Sequence, residues 1–157
     1  MEQIIRAGEG EVLGAEAGCR DRFKVDTDRT ESRLAIVEHL LAPRCIAAPV
    51  HVHTREDEFS FIIDGEVSYR LGDEEYVARA GDLVIKPRGQ WHTFWNATDE
   101  PARVLEMITP GGLEAVFRAM GRGAPEDELG ALIDAAGCTG DLEATGPIVE
   151  RYGLTWG

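Results

Sequence analysis

From residue 59 to residue 108 the chain repeats one pattern: five or six residues of strand character, then a turn. FSFII (59–63) alternates and meets Asp64-Gly65, a strong hairpin signal, before EVSYRL (66–71) returns. GDEE (72–75) turns again into YVARA (76–80). DLVIK (82–86) is followed by the turn Pro87-Arg88-Gly89 and by WHTFWN (91–96). Thr98-Asp99-Glu100-Pro101 then turns into RVLEMI (103–108). Short strands at this spacing predict an all-β fold, an antiparallel sandwich or barrel. Upstream, RLAIVEHLL (33–41) reads as a strand of a sheet buried on one side, and two shorter strands fit 11–13 and 22–25. Pro43 and Pro49 bracket a loop or edge segment.

After Pro110-Gly111-Gly112 the period changes. Leu113, Val116, Phe117 and Met120 share a helix face, and Gly121 and Gly123 end that helix. A second helix is expected from Pro125 to about residue 136, and a third from Asp141 to Tyr152, weakened by Gly146-Pro147. With 157 residues and 43% apolar content, the chain suits one domain with a real core. The expected organisation is a barrel with N-terminal strands over 1–110, and a short helical extension over 111–157 that packs on it.

A formal net charge of −13 argues against nucleic acid and anionic membranes as partners. No segment approaches the roughly 20 apolar residues of a membrane span. The N-terminus, MEQIIRAGEGEVLG, lacks the basic start and apolar stretch of a secretion signal, so a cytoplasmic location is expected. Cys19, Cys45 and Cys138 are odd in number and far apart, and are expected to be reduced, mostly buried thiols.

The chemistry concentrates in PVHVHTREDEFSFIIDGEV (49–67). Residues i and i+2 of a strand point the same way, so His51 and His53 project together, either as a polar surface edge or as half of a metal site. Glu58 lies five residues beyond His53, an odd step, and needs a turn in TRED (54–57) to share that face. If it faces inward, so do Ser60 and Ile62, and Phe59, Phe61 and Ile63 pack on the other side. His92 shares a face with Phe94 and Asn96. A core histidine bonded to backbone explains it as well as a ligand does. Glu56, Asp57, Arg88 and Gln90 read as surface or turn residues. Glu38 and His39 lie on opposite faces of their strand, so at most one points inward. Trp91 and Trp95 read as packing residues.

Both segments resemble the two motifs of the cupin family. The first motif, G(x)5HxH(x)3–4E(x)6G, finds His51, His53, Glu58 and Gly65, with Cys45 where the motif begins with glycine. The second, G(x)5PxG(x)2H(x)3N, finds Gly81, Pro87, Gly89, His92 and Asn96. The resemblance implies a double-stranded β-helix, or jelly-roll, barrel of six to eight strands. It also implies a site in which His51, His53, Glu58 and His92 hold one divalent transition metal: iron, manganese, nickel, cobalt, copper or zinc. Such a site leaves positions open for a small-molecule substrate. The expected function is a quercetinase-like dioxygenase acting on a small aromatic or polyketide-like enol, with Glu58 as general base. A non-redox cyclase, isomerase or dehydratase uses the same site, and a non-catalytic binding barrel ranks last. Ile62, Phe94 and Met107 are the expected substrate-pocket residues, and a homodimer is expected from the family habit and from the tendency of uncovered edge strands to pair.

Overall fold

The computed structural model describes residues 3–156; the outermost residues of the expected spans 1–110 and 111–157 (residues 1, 2 and 157) lie outside them. The strands are β1 (Glu11–Leu13), β2 (Cys19–Val25), β3 (Ala35–Leu41), β4 (Cys45–Ile46), β5 (Val50–His53), β6 (Asp57–Asp64), β7 (Glu66–Leu71), β8 (Glu74–Arg79), β9 (Leu83–Lys86), β10 (His92–Trp95) and β11 (Ala102–Thr109). Then come α1 (Glu114–Gly121), α2 (Glu126–Ala135), β12 (Cys138–Asp141), α3 (Leu142–Tyr152) and β13 (Thr155–Trp156). Two sheets face each other. One runs β1-β2-β3-β11-β6-β9; the other holds β12-β5-β10-β4-β13, with β7 on β10 and β8 on β7.

Alternation decides what lies between the sheets. On β11, Val104, Glu106 and Ile108 are buried, while Arg103, Leu105 and Met107 are half-buried on the other face. On β6, Glu58, Ser60 and Ile62 point inward. Ile62, Val67, Tyr69, Phe94 and Val104 fill one end of the barrel. The opposite face of β6 is less covered than expected: Phe61 is exposed, as are its β9 neighbours Leu83 and Ile85. The Asp64-Gly65 hairpin needs its glycine. Gly65 sits at φ +80°, and a Cβ there would stand 2.9 Å from the Cβ of Ala102 and the carbonyl of Pro101.

The segment after residue 110 is not only helical. Its β12 pairs antiparallel with β5, and β13 pairs parallel with β4. The extension therefore completes the sheet that carries the histidine pair. Its third helix forms despite Pro147. The Asp141 side chain caps it by accepting from the Ala144 N–H at 2.8 Å. Ile148 packs against Trp95, Ile46 and Val50. Thr145 accepts the Val50 N–H at 2.9 Å, which pins the start of β5 to that helix. Among the described residues, no helix is long and apolar enough to cross a membrane.

Candidate metal centre

β5 and β10 are adjacent and antiparallel, with His51 directly opposite His92. His53 is two residues along β5 and shares the inward face. The turn over 54–56 resets the chain, so β6 begins at Asp57 with Glu58 buried. The register then sets Glu58 opposite Ile108 on one side and Lys86 on the other. Glu58 Oε2 lies 3.1 Å from His53 Nε2 and 3.1 Å from His92 Nε2. The His51 and His92 rings are 4.4 Å apart and the His53 and His92 rings 5.0 Å. One donor atom from each of the four residues lies within 4.8 Å of the other three.

The backbone orients two of the imidazoles. His51 Nδ1 donates to the Pro49 carbonyl at 2.8 Å, and His92 Nδ1 donates to the Gln90 carbonyl at 2.9 Å. Both leave Nε2 for the centre. Gly89 donates its N–H to the His53 carbonyl at 2.9 Å, tying the turn before His92 to β5. The Asn96 side chain acts structurally. It donates to the carbonyls of Ala42 (3.0 Å) and Glu100 (2.7 Å) and accepts from Thr98. Cys45, in place of the motif's first glycine, lies in extended β4. The left-handed conformation falls on Arg44 at φ +54° instead.

Burial, with His92 behind it, pushes the His51 imidazole down to about 3, so the ring is neutral and its lone pair is free to bind metal. Burial would raise the Glu58 carboxyl. Lys86 and the hydrogen bonds to His53 and His92 outweigh it and hold the group well below the usual carboxylate range. Burial would lower His53, yet Glu58 and Glu56 raise it. Three imidazoles and an ionised carboxylate converging on one point suit a divalent first-row metal.

Several residues differ from the sequence reading. Glu56 is not a solvated turn residue; it is buried, with Oε2 3.7 Å from His53 Nδ1, and neither atom has a hydrogen-bond partner. A carboxylate behind a ligating histidine orients the ring. Asp57 is half-buried and paired with Arg88 at 2.6 Å. Lys86, which belongs to neither motif, is buried 3.2 Å from Glu58 and 2.9 Å from Glu106. Only the β6–β9 register brings it there. Glu38 and His39 do take opposite faces, but both are buried. Glu38 is ion-paired with Arg22 and Arg103 outside the barrel, and His39 points inside. Trp95 is buried under the third helix, while Trp91 is exposed.

The ligands open into a cavity of about 270 Å³. His51 and Glu58 line it together with Cys19, Asp21 and His39, and Phe94, Phe117 and Met120 supply apolar surface. Of the three expected pocket residues, Phe94 lines this cavity. Ile62 lies deeper in the barrel core, and Met107 projects from the outward face of β11 beside Phe59 and Ile36. Phe117 and Met120, from the helix after the barrel, close the mouth instead; strand patterning carries no signal for where that helix docks.

Comparison with known proteins agrees with this geometry. The family described as Cupin domain matches residues 37–108. A gentisate 1,2-dioxygenase from a Streptomyces species is 39% identical over 67 residues, 42% of this chain and 18% of that protein. The tetracenomycin polyketide synthase protein TcmJ of Streptomyces glaucescens is 32% identical over 60 residues, 38% of this chain and 40% of that one. The chain thus matches well under half the length of these relatives. A solved double-stranded β-helix protein from Klebsiella pneumoniae superposes with a TM-score of 0.60 at 23% identity, covering 71% of this chain and 92% of that one. Residues 37–108 thus match the cupin domain, and the fold around them is that of a double-stranded β-helix.

Proposed function

We propose that the protein is a metal-dependent enzyme acting on a small aromatic or polyketide-like hydroxy or enol substrate, with dioxygenase chemistry of the quercetinase kind. The observation that carries the reading is a complete set of four ligands facing a largely apolar cavity. A site with three histidines, a carboxylate and open space beside them is built for turnover; a structural site is closed by its own ligands. The cavity of about 270 Å³ admits a compact ring and no large polymer.

His51, His53, Glu58 and His92 would hold the metal. When bound it supplies Lewis acidity, and, if it is redox-active, a partner for dioxygen. Phe94 and Phe117 hold the ring and, with Met120 at the mouth, exclude water. Glu58 lines the cavity and accepts the substrate hydroxyl proton, which leaves an electron-rich anion for reaction. Lys86, against Glu58, keeps positive charge beside that carboxylate.

The similarity to a polyketide synthase protein favours a second reading, a non-redox cyclase or isomerase on the same residues. The test is elemental analysis of the protein as purified, followed by oxygen uptake with gentisate and with a flavonol. Uptake that is lost in Glu58→Gln supports the first reading. Anaerobic conversion of a phenolic enol, with no oxygen uptake, replaces it with the second. Neither activity under any metal loading overturns both.

A further inference from the structure

The cavity is also lined by a second cluster of donors, carried by strands of the sheet that holds Glu58. Cys19 and Asp21 are two apart on β2, so both point inward, and the register sets His39 of β3 directly across from Asp21. His39 Nδ1 is 2.6 Å from Asp21 Oδ1, Cys19 Sγ is 3.9 Å from the same nitrogen, and Sγ is 3.7 Å from Oδ1. This is not a nucleophilic triad. There the base bonds the thiol through one ring nitrogen and the acid through the other; here thiol and carboxylate crowd the same nitrogen.

We propose that Cys19, Asp21 and His39 form a second metal site, selective for a thiophilic divalent ion such as zinc or cobalt, lining the same cavity as the first. Donors around one tetrahedral zinc stand roughly 3.3–3.6 Å apart, from bonds of about 2.0 Å to nitrogen or oxygen and about 2.3 Å to sulfur. The two distances from Sγ are already close to that spacing. The His39–Asp21 contact opens by roughly 0.7 Å once an ion stands between the two.

The far side of His39 supplies an independent sign. A ligating histidine donates its other N–H to a carboxylate. His39 Nε2 faces Glu106 Oε2 at 3.7 Å, and Glu106 is fully buried with Oε1 unpartnered. Glu106 accepts from Ser60 at 2.8 Å and from Lys86 at 2.9 Å, and Lys86 reaches Glu58. The buried chain His39–Glu106–Lys86–Glu58 therefore links the two clusters. Three protein donors leave the ion open to the cavity, and a thiolate with a carboxylate gives a net charge of −2 to balance a dication.

The experiment is a titration of the chelator-stripped, full-length protein with cobalt(II), read by absorbance and equilibrium dialysis. A near-ultraviolet thiolate-to-cobalt band is expected, with two equivalents bound. Cys19→Ser should abolish the band and one equivalent; Cys45→Ser and Cys138→Ser should keep both. Asp21→Asn should weaken the banded site at least 10-fold and serves as the second probe if the serine variant does not fold. The band reads this site alone, so it is expected even if His51→Ala/His53→Ala removes the other equivalent. A titration with no thiolate band, or a band that survives in Cys19→Ser, overturns the proposal.

Discussion

The two donor clusters that line the cavity are built from the same elements, histidine, carboxylate and strand pairing, yet they are fixed in different ways. His51, His53 and His92 are positioned by neighbours in sequence: the Pro49 and Gln90 carbonyls, each two residues away, orient two of the rings. In the second cluster lining the cavity, His39 is positioned by partners 18 and 67 residues away, Asp21 and Glu106. The ring orientations of the first set come from local sequence, and those of the second from sheet assembly. A locally fixed ligand set leaves a compact motif. A set assembled across strands leaves nothing that can be read along the chain.

The sharpest way to break this comparison is to remove one locally fixed ligand. His92→Ala should lower affinity for the metal of the first cluster by on the order of 100-fold or more, beyond the 10–100-fold typical of residues that only support a ligand. Metal analysis checks it, and full retention would mean His92 is a packing histidine. Next is the residue that joins the clusters. Lys86→Met leaves Glu58 and Glu106 buried without the ammonium they share and should cost about 3–5 kcal/mol in urea unfolding of the metal-free protein. A loss under about 1 kcal/mol would mean water or protons already neutralise the pair.

Support for β5 from the C-terminal segment gives a smaller effect. Asp141→Ala removes the cap of the third helix and should cost about 1 kcal/mol, read as a lower thermal midpoint. An unchanged midpoint would detach that helix from the stability of the first cluster. The smallest effect is at the barrel's far end, where the hydrogen bond and charge of Arg44 hold the Asp99 carboxyl below its ordinary value. The lowered native value means this contribution is whole above about pH 4 and fades as pH falls through the depressed value. Asp99→Asn should be slightly less stable than the parent at pH 7, with the gap shrinking as pH falls below about 4. A variant as stable as the parent at pH 7 would show the exposed pair to be energetically silent.

By itself, the sequence determined most of the strand succession, the three helices and the four residues, His51, His53, Glu58 and His92, that cluster in the barrel. Alternation, tight turns such as Asp64-Gly65, and the i, i+2 step from His51 to His53 act over a few residues, where chain geometry leaves little choice. The odd step to Glu58 was the exception, and the bend over 54–56 resolved it. Tertiary structure alone decided which faces meet. Register set Lys86 against Glu58 and Asp21 against His39; docking of the helix after the barrel put Phe117 and Met120 at the cavity mouth; pairing turned residues 138–141 into a strand. Each depends on contacts between segments distant in the chain, whose energy comes from burying surfaces together. No local pattern encodes which surfaces those are.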